Sequence, residues 1–225
     1  MTNTKKSVQI ITAVIFACTA MGIIDAVIQP GYATKSAIKI CLFLILPVIY
    51  SKSNKETNLK AIFTANKKGI LKAFSAGLGV YVVIMAAYIL AKNFFDFSNL
   101  TSSLTSTTGV NKSNFVWVAL YISFVNSMLE EFFFRGFAFL ELKKSFCRKG
   151  AYIFSSLFFA LYHIAMMIGW FDPVVIVLAV VGLTAGGIIF NFFDEKANSI
   201  YLSWCIHLCA NLATNTIGFM LFDKI

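Results

Sequence analysis

A chain of 225 residues that is 59% hydrophobic, only 13% charged and holds 24 Phe has no polar stretch long enough to fold alone as a soluble domain, since such domains run near 25% charged. With a mean hydropathy of +0.79, the composition fits an all-α, polytopic transmembrane helical bundle of about seven spans. The net charge of +9 reads as loop lysines beside anionic headgroups, which makes the lipid bilayer a partner and excludes nucleic acid.

Lys5 and Lys6 precede a first hydrophobic run, Val8 to Ile28, long enough to span. Cys18 makes a poor lipobox cysteine, because Phe16 stands where a small residue is expected, so the run reads as a retained anchor helix. Asp25 near its far end is expected at the interface, and Pro30-Gly31 marks a turn. The second run, Ala37 to Tyr50, is short, with Lys35 and Lys39 placed to snorkel at its start. A basic stretch follows with Lys52, Lys55, Lys60, Lys67, Lys68 and Lys72, where the spacing of Leu59, Ile62 and Phe63 predicts a short amphipathic surface helix.

The third span runs from about Ile70 to Ala91, and Asn93 to Asn114 reads as a polar Ser/Thr-rich loop. Spans four to seven cover Phe115–Leu142, Ala151–Trp170, Pro173–Phe193 and Ser199–Phe222. In the sixth, Gly182-xxx-Gly186 beside Gly187 predicts close helix packing. The five cysteines, Cys18, Cys41, Cys147, Cys205 and Cys209, fall mostly in apolar runs and read as inert thiols. Seven spans with a cytoplasmic N-terminus put thirteen basic residues on the inner side and five (Lys35, Lys39, Lys92, Lys112 and Lys224) on the outer, an asymmetry that favours this orientation. The expected division is residues 1–112 as a three-span region with a basic loop, and 113–225 as a four-span core.

The fourth span carries Asn126-Ser-Met-Leu-Glu-Glu-Phe-Phe-Phe-Arg-Gly136. A charge at mid-bilayer costs roughly 2.5–3.5 kcal/mol on insertion scales, so Glu130, Glu131 and Arg135 are functional candidates. Residues four apart share a helix face, which pairs Glu131 with Arg135 and leaves Glu130 to meet a group on another helix. Both histidines of the chain lie in spans, His163 four residues after Phe159 and His207 four before Asn211. Counted from the nearest loop on one membrane side, Glu130, His163 and His207 lie at depths of ~20, ~20 and ~17 Å. A carboxylate, two imidazoles and a carboxamide thus fall on one plane.

No Ser or Cys is placed as a nucleophile, so the set fits an activated water. A desolvated carboxylate suits a general base, His163 would orient or deprotonate the same water, and His207 with Asn211 could donate to an oxyanion. The product of these roles is hydrolysis of an acyl bond inside the membrane. Two histidines and a carboxylate also match zinc ligation, although no His-Glu-x-x-His is present and Asn is an unusual ligand.

Glu130-Glu131-xxx-Arg135, Phe159-xxx-His163 and His207-xxx-Asn211 resemble, in order, the three motifs of the CPBP (Abi/CAAX-type) intramembrane protease family. The resemblance covers about Phe115 to Phe222, and the motif pattern is complete. It implies that Glu130 and His163 activate water, His207 and Asn211 form the oxyanion site, and Glu131 with Arg135 braces the helix. It also implies a metal-free glutamate-type mechanism on a membrane protein or peptide substrate. The low-arginine, Lys/Asn-rich composition looks bacterial, which favours a peptide pheromone, leader peptide or bacteriocin over a prenylated protein. Two other readings are a non-catalytic bacteriocin-immunity membrane protein and, because intramembrane Glu and His also build relays, a proton-coupled transporter. Against the latter, the acidic and imidazole residues have no counterpart in the first half of the chain.

Overall fold

The structure, a computed structural model, describes residues 3–54, 56–64, 67–95, 97, 99–167, 171 and 173–222; Lys55, Trp170 and Lys224, named above, lie outside them. Among the described residues there are eight helices and no strand. They are α1 (Thr4–Ile28), α2 (Tyr32–Ser53), α3 (Lys67–Ala91), α4 (Asn99–Thr108), α5 (Phe115–Lys144), α6 (Arg148–Met167), α7 (Pro173–Ala197) and α8 (Tyr201–Leu221). The expected all-α bundle is what forms. Five helices (α1, α2, α3, α5 and α7) are long and apolar enough to cross a membrane. The other two long ones, α6 and α8, run 20 and 21 residues, roughly 30 Å each, and carry the histidines. The short second run is part of a 22-residue helix.

The bundle is built around α5. Every residue from Glu131 to Glu141 is buried, because a helix apolar on all sides is covered on all sides. Phe132, Phe133, Phe134, Phe137 and Phe139 form the centre of the main core, with Ile10, Val14 and Met21 of α1, Phe43 of α2 and Phe159 and Tyr162 of α6 packed around them. Phe43 stacks on Phe133 with ring centroids 4.1 Å apart and planes 5° from parallel. The helix winds with wide i→i+5 turns over Tyr121–Asn126 and Glu131–Glu141, a geometry that is frequent at functional sites. Polar ends tie α1 to this core: Lys6 Nζ reaches Glu141 Oε1 at 2.5 Å, and Ser7 Oγ donates to the Ser145 carbonyl at 2.6 Å.

Helices in lipid gain no hydrophobic free energy from one another and rely on close packing. The close approaches are made by single glycines. A Cβ on Gly187 of α7 would stand 3.0 Å from Ser156 of α6, and one on Gly77 of α3 would stand 2.7 Å from Cys209 Sγ of α8. The Gly182-xxx-Gly186 pair expected to pack faces open space instead, because Gly187 is the member of the cluster turned towards α6. Leu71, Val82, Val83, Val177 and Val181 of α3 and α7 stay exposed as a lipid-facing belt.

Three expectations are corrected. The polar 93–114 stretch contains α4, whose Thr105, Thr107 and Thr108 hydroxyls donate to backbone carbonyls of the preceding turn at 2.7–2.8 Å. Gly109, with φ +72°, ends it, and Leu104 and Val110 pack on Phe115 and Phe222. The surface helix at 59–63 is a single 3₁₀ turn, Leu59–Ile62. Its Leu59 and Ile62 are buried in the core, and Phe63 stacks on Phe132 at 5.9 Å. Finally, neither Lys35 nor Lys39 snorkels. Lys35 Nζ pairs across the turn with Asp25 at 2.5 Å, covering the carboxylate expected at the interface, and Lys39 is buried inside the bundle.

Candidate active site

Four helices supply the polar side chains that meet beside α5. Glu130 sits where its wide turns resume, with 1% of its surface exposed. Its Oε1 takes two donors: the Lys39 ammonium from α2, and Asn126 Nδ2 from one turn earlier at 3.0 Å. Lys39 Nζ also donates to Asn126 Oδ1 at 2.5 Å. The three side chains therefore close a ring in which each touches the other two. The ammonium further lies 4.8 Å from the Tyr162 ring centroid, on the ring's attractive face.

With Oε1 engaged, Glu130 Oε2 points the other way. It is buried and has no hydrogen-bond partner among the described residues. His163 Nε2 from α6 and His207 Nε2 from α8 each stand 3.6 Å from it. That separation is too long for a direct hydrogen bond, yet all three atoms face one spot.

The opposite ring nitrogens fix how the imidazoles present themselves. His163 Nδ1 lies 2.7 Å from the Phe159 carbonyl oxygen. A carbonyl only accepts, so Nδ1 carries a proton, and in the neutral form of the ring Nε2 is the lone-pair nitrogen turned towards Glu130. Phe159 also stacks edge-on against His163 with centroids 4.6 Å apart, so the Phe-xxx-His spacing orients the ring twice over. His207 Nδ1 donates to Glu131 Oε1 at 2.7 Å.

Glu131 thus has two neighbours where the sequence suggested one. Its Oε2 stands 3.2 Å from Arg135 Nε, the expected i,i+4 pair. The fully buried Arg135 guanidinium makes no hydrogen bond among the described residues. It lies 4.0 and 4.8 Å from the Phe159 and Phe190 ring centroids, so charge and aromatic faces hold it. Arg135, Glu131 and His207 form a chain leading to Glu130. Asn211, one turn after His207, uses its Nδ2 to donate to the Ile122 carbonyl at 3.1 Å, joining α8 to α5.

Sequence reasoning missed four participants. Asn126 was within the motif and four residues before Glu130, so its contact followed the same spacing rule that pairs Glu131 with Arg135. The Glu131–His207 bond and Lys39 join distant helices, and no local spacing signals them. Asp194, one residue past the expected end of the sixth span, is buried and accepts from the Ser203 backbone N–H at 3.0 Å and its hydroxyl at 2.6 Å. It satisfies the N-terminal turn of α8 and so steadies the helix bearing His207.

No curated protein and no solved structure matches the chain. A family model described as Type II CAAX prenyl endopeptidase Rce1-like matches residues 112–213. That stretch contains Glu130, Glu131, Arg135, Phe159, His163, His207 and Asn211, the whole motif set. Over residues 112–213, a little under half of its length, the chain is similar to the CAAX-protease (CPBP) family.

Proposed function

We propose that the protein is an intramembrane endopeptidase that hydrolyses a peptide bond of a membrane-associated protein or peptide with an activated water. One observation carries this reading: Glu130 Oε2, His163 Nε2 and His207 Nε2 converge from three helices, with Glu130 and His207 buried and His163 partly so. A water within ~2.8–3.0 Å of each atom completes the set. Glu130 takes a proton as the water oxygen attacks the carbonyl carbon. His163, held as an acceptor at Nε2, orients the same water. As an imidazolium backed by Glu131, His207 donates from Nε2 to the oxyanion. Asn211 has a second amide N–H beyond the one used on Ile122 and is the other oxyanion donor. Collapse of the tetrahedral intermediate breaks the C–N bond, and the proton taken by Glu130 goes to the leaving amine.

The mechanism proposed needs no metal. Among the described residues no group of three His, Cys, Asp or Glu side chains is spaced to hold one, and Glu130 is already paired with an ammonium that repels a divalent cation.

Residues 113–225 form the catalytic core in this reading, and 1–112 the region that selects substrate. The protein sits in a bacterial plasma membrane with its N-terminus in the cytoplasm, acting on a peptide pheromone, leader peptide or bacteriocin. The test is mass spectrometry of membrane-associated peptides from cells carrying wild type or Glu130→Gln. Cleavage products present with wild type and absent with an equally abundant variant are expected. Identical peptide profiles contradict the assignment, and retained biological protection by the variant points to a binding protein.

A further inference from the structure

The family match begins at residue 112, yet the carboxylate at the centre of the site is held from outside that segment. We propose that Lys39 of α2 is a positioning residue for the reaction: with Asn126 it holds Glu130 Oε1, so that Oε2 is the oxygen turned to the histidines. The site is then incomplete without the N-terminal helices. This inference rests on the endopeptidase reading given above.

Burial and geometry separate this contact from a packing accident. A lysine is almost never fully buried unless paired, and Lys39 is 4% exposed. Its ammonium has three donors. One meets Glu130 Oε1, one meets Asn126 Oδ1, and the charge is flanked by the Tyr162 and Phe43 rings at 4.8 and 5.4 Å. A free Glu130 could present either oxygen to the histidines by rotating its carboxyl group. Two donors on one oxygen remove that freedom, which is the kind of pre-alignment that places a reacting atom before the substrate arrives.

Two structural supports set the position of Lys39. Lys35, one turn earlier on α2, is anchored to Asp25 of α1 at 2.5 Å, which fixes the rotation of α2 about its axis. Four residues after Lys39, Phe43 stacks on Phe133 of α5. The helix is thus locked on both sides of the lysine. The chain's two N-terminal helices consequently act on chemistry carried by α5, α6 and α8.

The experiment uses the full-length protein with Lys39→Gln, Lys39→Arg, Asn126→Ala and Glu130→Gln. In the purified protein, infrared difference spectra assign the Glu130 carboxylate stretch as the band lost in Glu130→Gln. That band is expected to shift in Lys39→Gln and to keep its wild-type position in Lys39→Arg. In cells, the Glu130-dependent cleavage products are expected to fall at least tenfold in Lys39→Gln at equal membrane abundance, with Lys39→Arg restoring a third or more. If Lys39→Gln does not accumulate, Asn126→Ala takes its place. It removes the second donor while leaving the ion pair, and it is expected to shift the same band and lower product several-fold. An unmoved band in Lys39→Gln, or in Asn126→Ala where that variant stands in, overturns the proposal. So does full product from an abundant Lys39→Gln, even if Glu130→Gln is inactive. The absence of any Glu130-dependent product overturns the endopeptidase reading instead, and the infrared arm still decides whether Lys39 holds Glu130.

Discussion

Arg135 shows what a single side chain must satisfy in this interior. Its guanidinium has Glu131 on one side and two phenylalanine rings against its faces, with no water-accessible surface. Removing one partner of a buried pair leaves the other uncompensated, at a cost of roughly 3–5 kcal/mol. Arg135→Ala is therefore expected to lower membrane abundance and the detergent melting temperature sharply, with lost activity following lost protein. An abundant, stable but inactive Arg135→Ala would show that the guanidinium acts in the chemistry and not as a brace. Its pairing with Glu131 was legible because both residues lie on one helix. The second partner of Glu131, His207, was not, since 76 residues of chain separate them and only the packing of α8 on α5 brings them together.

At the scale of the helix, the contrast between neighbouring glycines decides which contacts matter. Gly186 and Gly187 are adjacent, but only Gly187 meets Ser156. Gly187→Leu is expected to destabilise by about 1–3 kcal/mol through overpacking, and Gly186→Leu to be near neutral, as read by melting of the purified variants. Equal destabilisation by both would contradict the interhelical approach drawn from the structure. A repeat of small residues marks a helix that can pack closely, but the rotation of that helix chooses the glycine that does. The same limit applies to Leu59, Ile62 and Phe63. Their apolar spacing announced a buried face, while the choice between lipid and the α5 core depended on where Phe132 lay.

Across the whole molecule, the positive charges and the arrangement of helices make a topology that can be probed from outside. Cys147 lies in the exposed link between α5 and α6 beside Lys143, Lys144 and Arg148, on the side that the proposed orientation puts in the cytoplasm. A membrane-impermeant thiol reagent is expected to label Cys147 only after cells are permeabilised. Labelling of intact cells would invert the proposed orientation. Inversion would leave the site itself intact, because the common depth of Glu130, His163 and His207 requires only that successive spans alternate in direction.

The sequence by itself determined that this is a helical membrane protein, and counting along it led to the expectation of one depth for Glu130, His163 and His207. Hydropathy, helical rise and the cost of charge in lipid are properties of the local chain, and they need no knowledge of neighbours. Only the tertiary structure decided which way each helix turns its polar face. That choice buried Lys39 on Glu130, joined His207 to Glu131 and gave the Asn211 amide the Ile122 carbonyl. The physical reason is that depth follows from counting residues along one chain, whereas rotation about a helix axis is set by packing against helices distant in sequence.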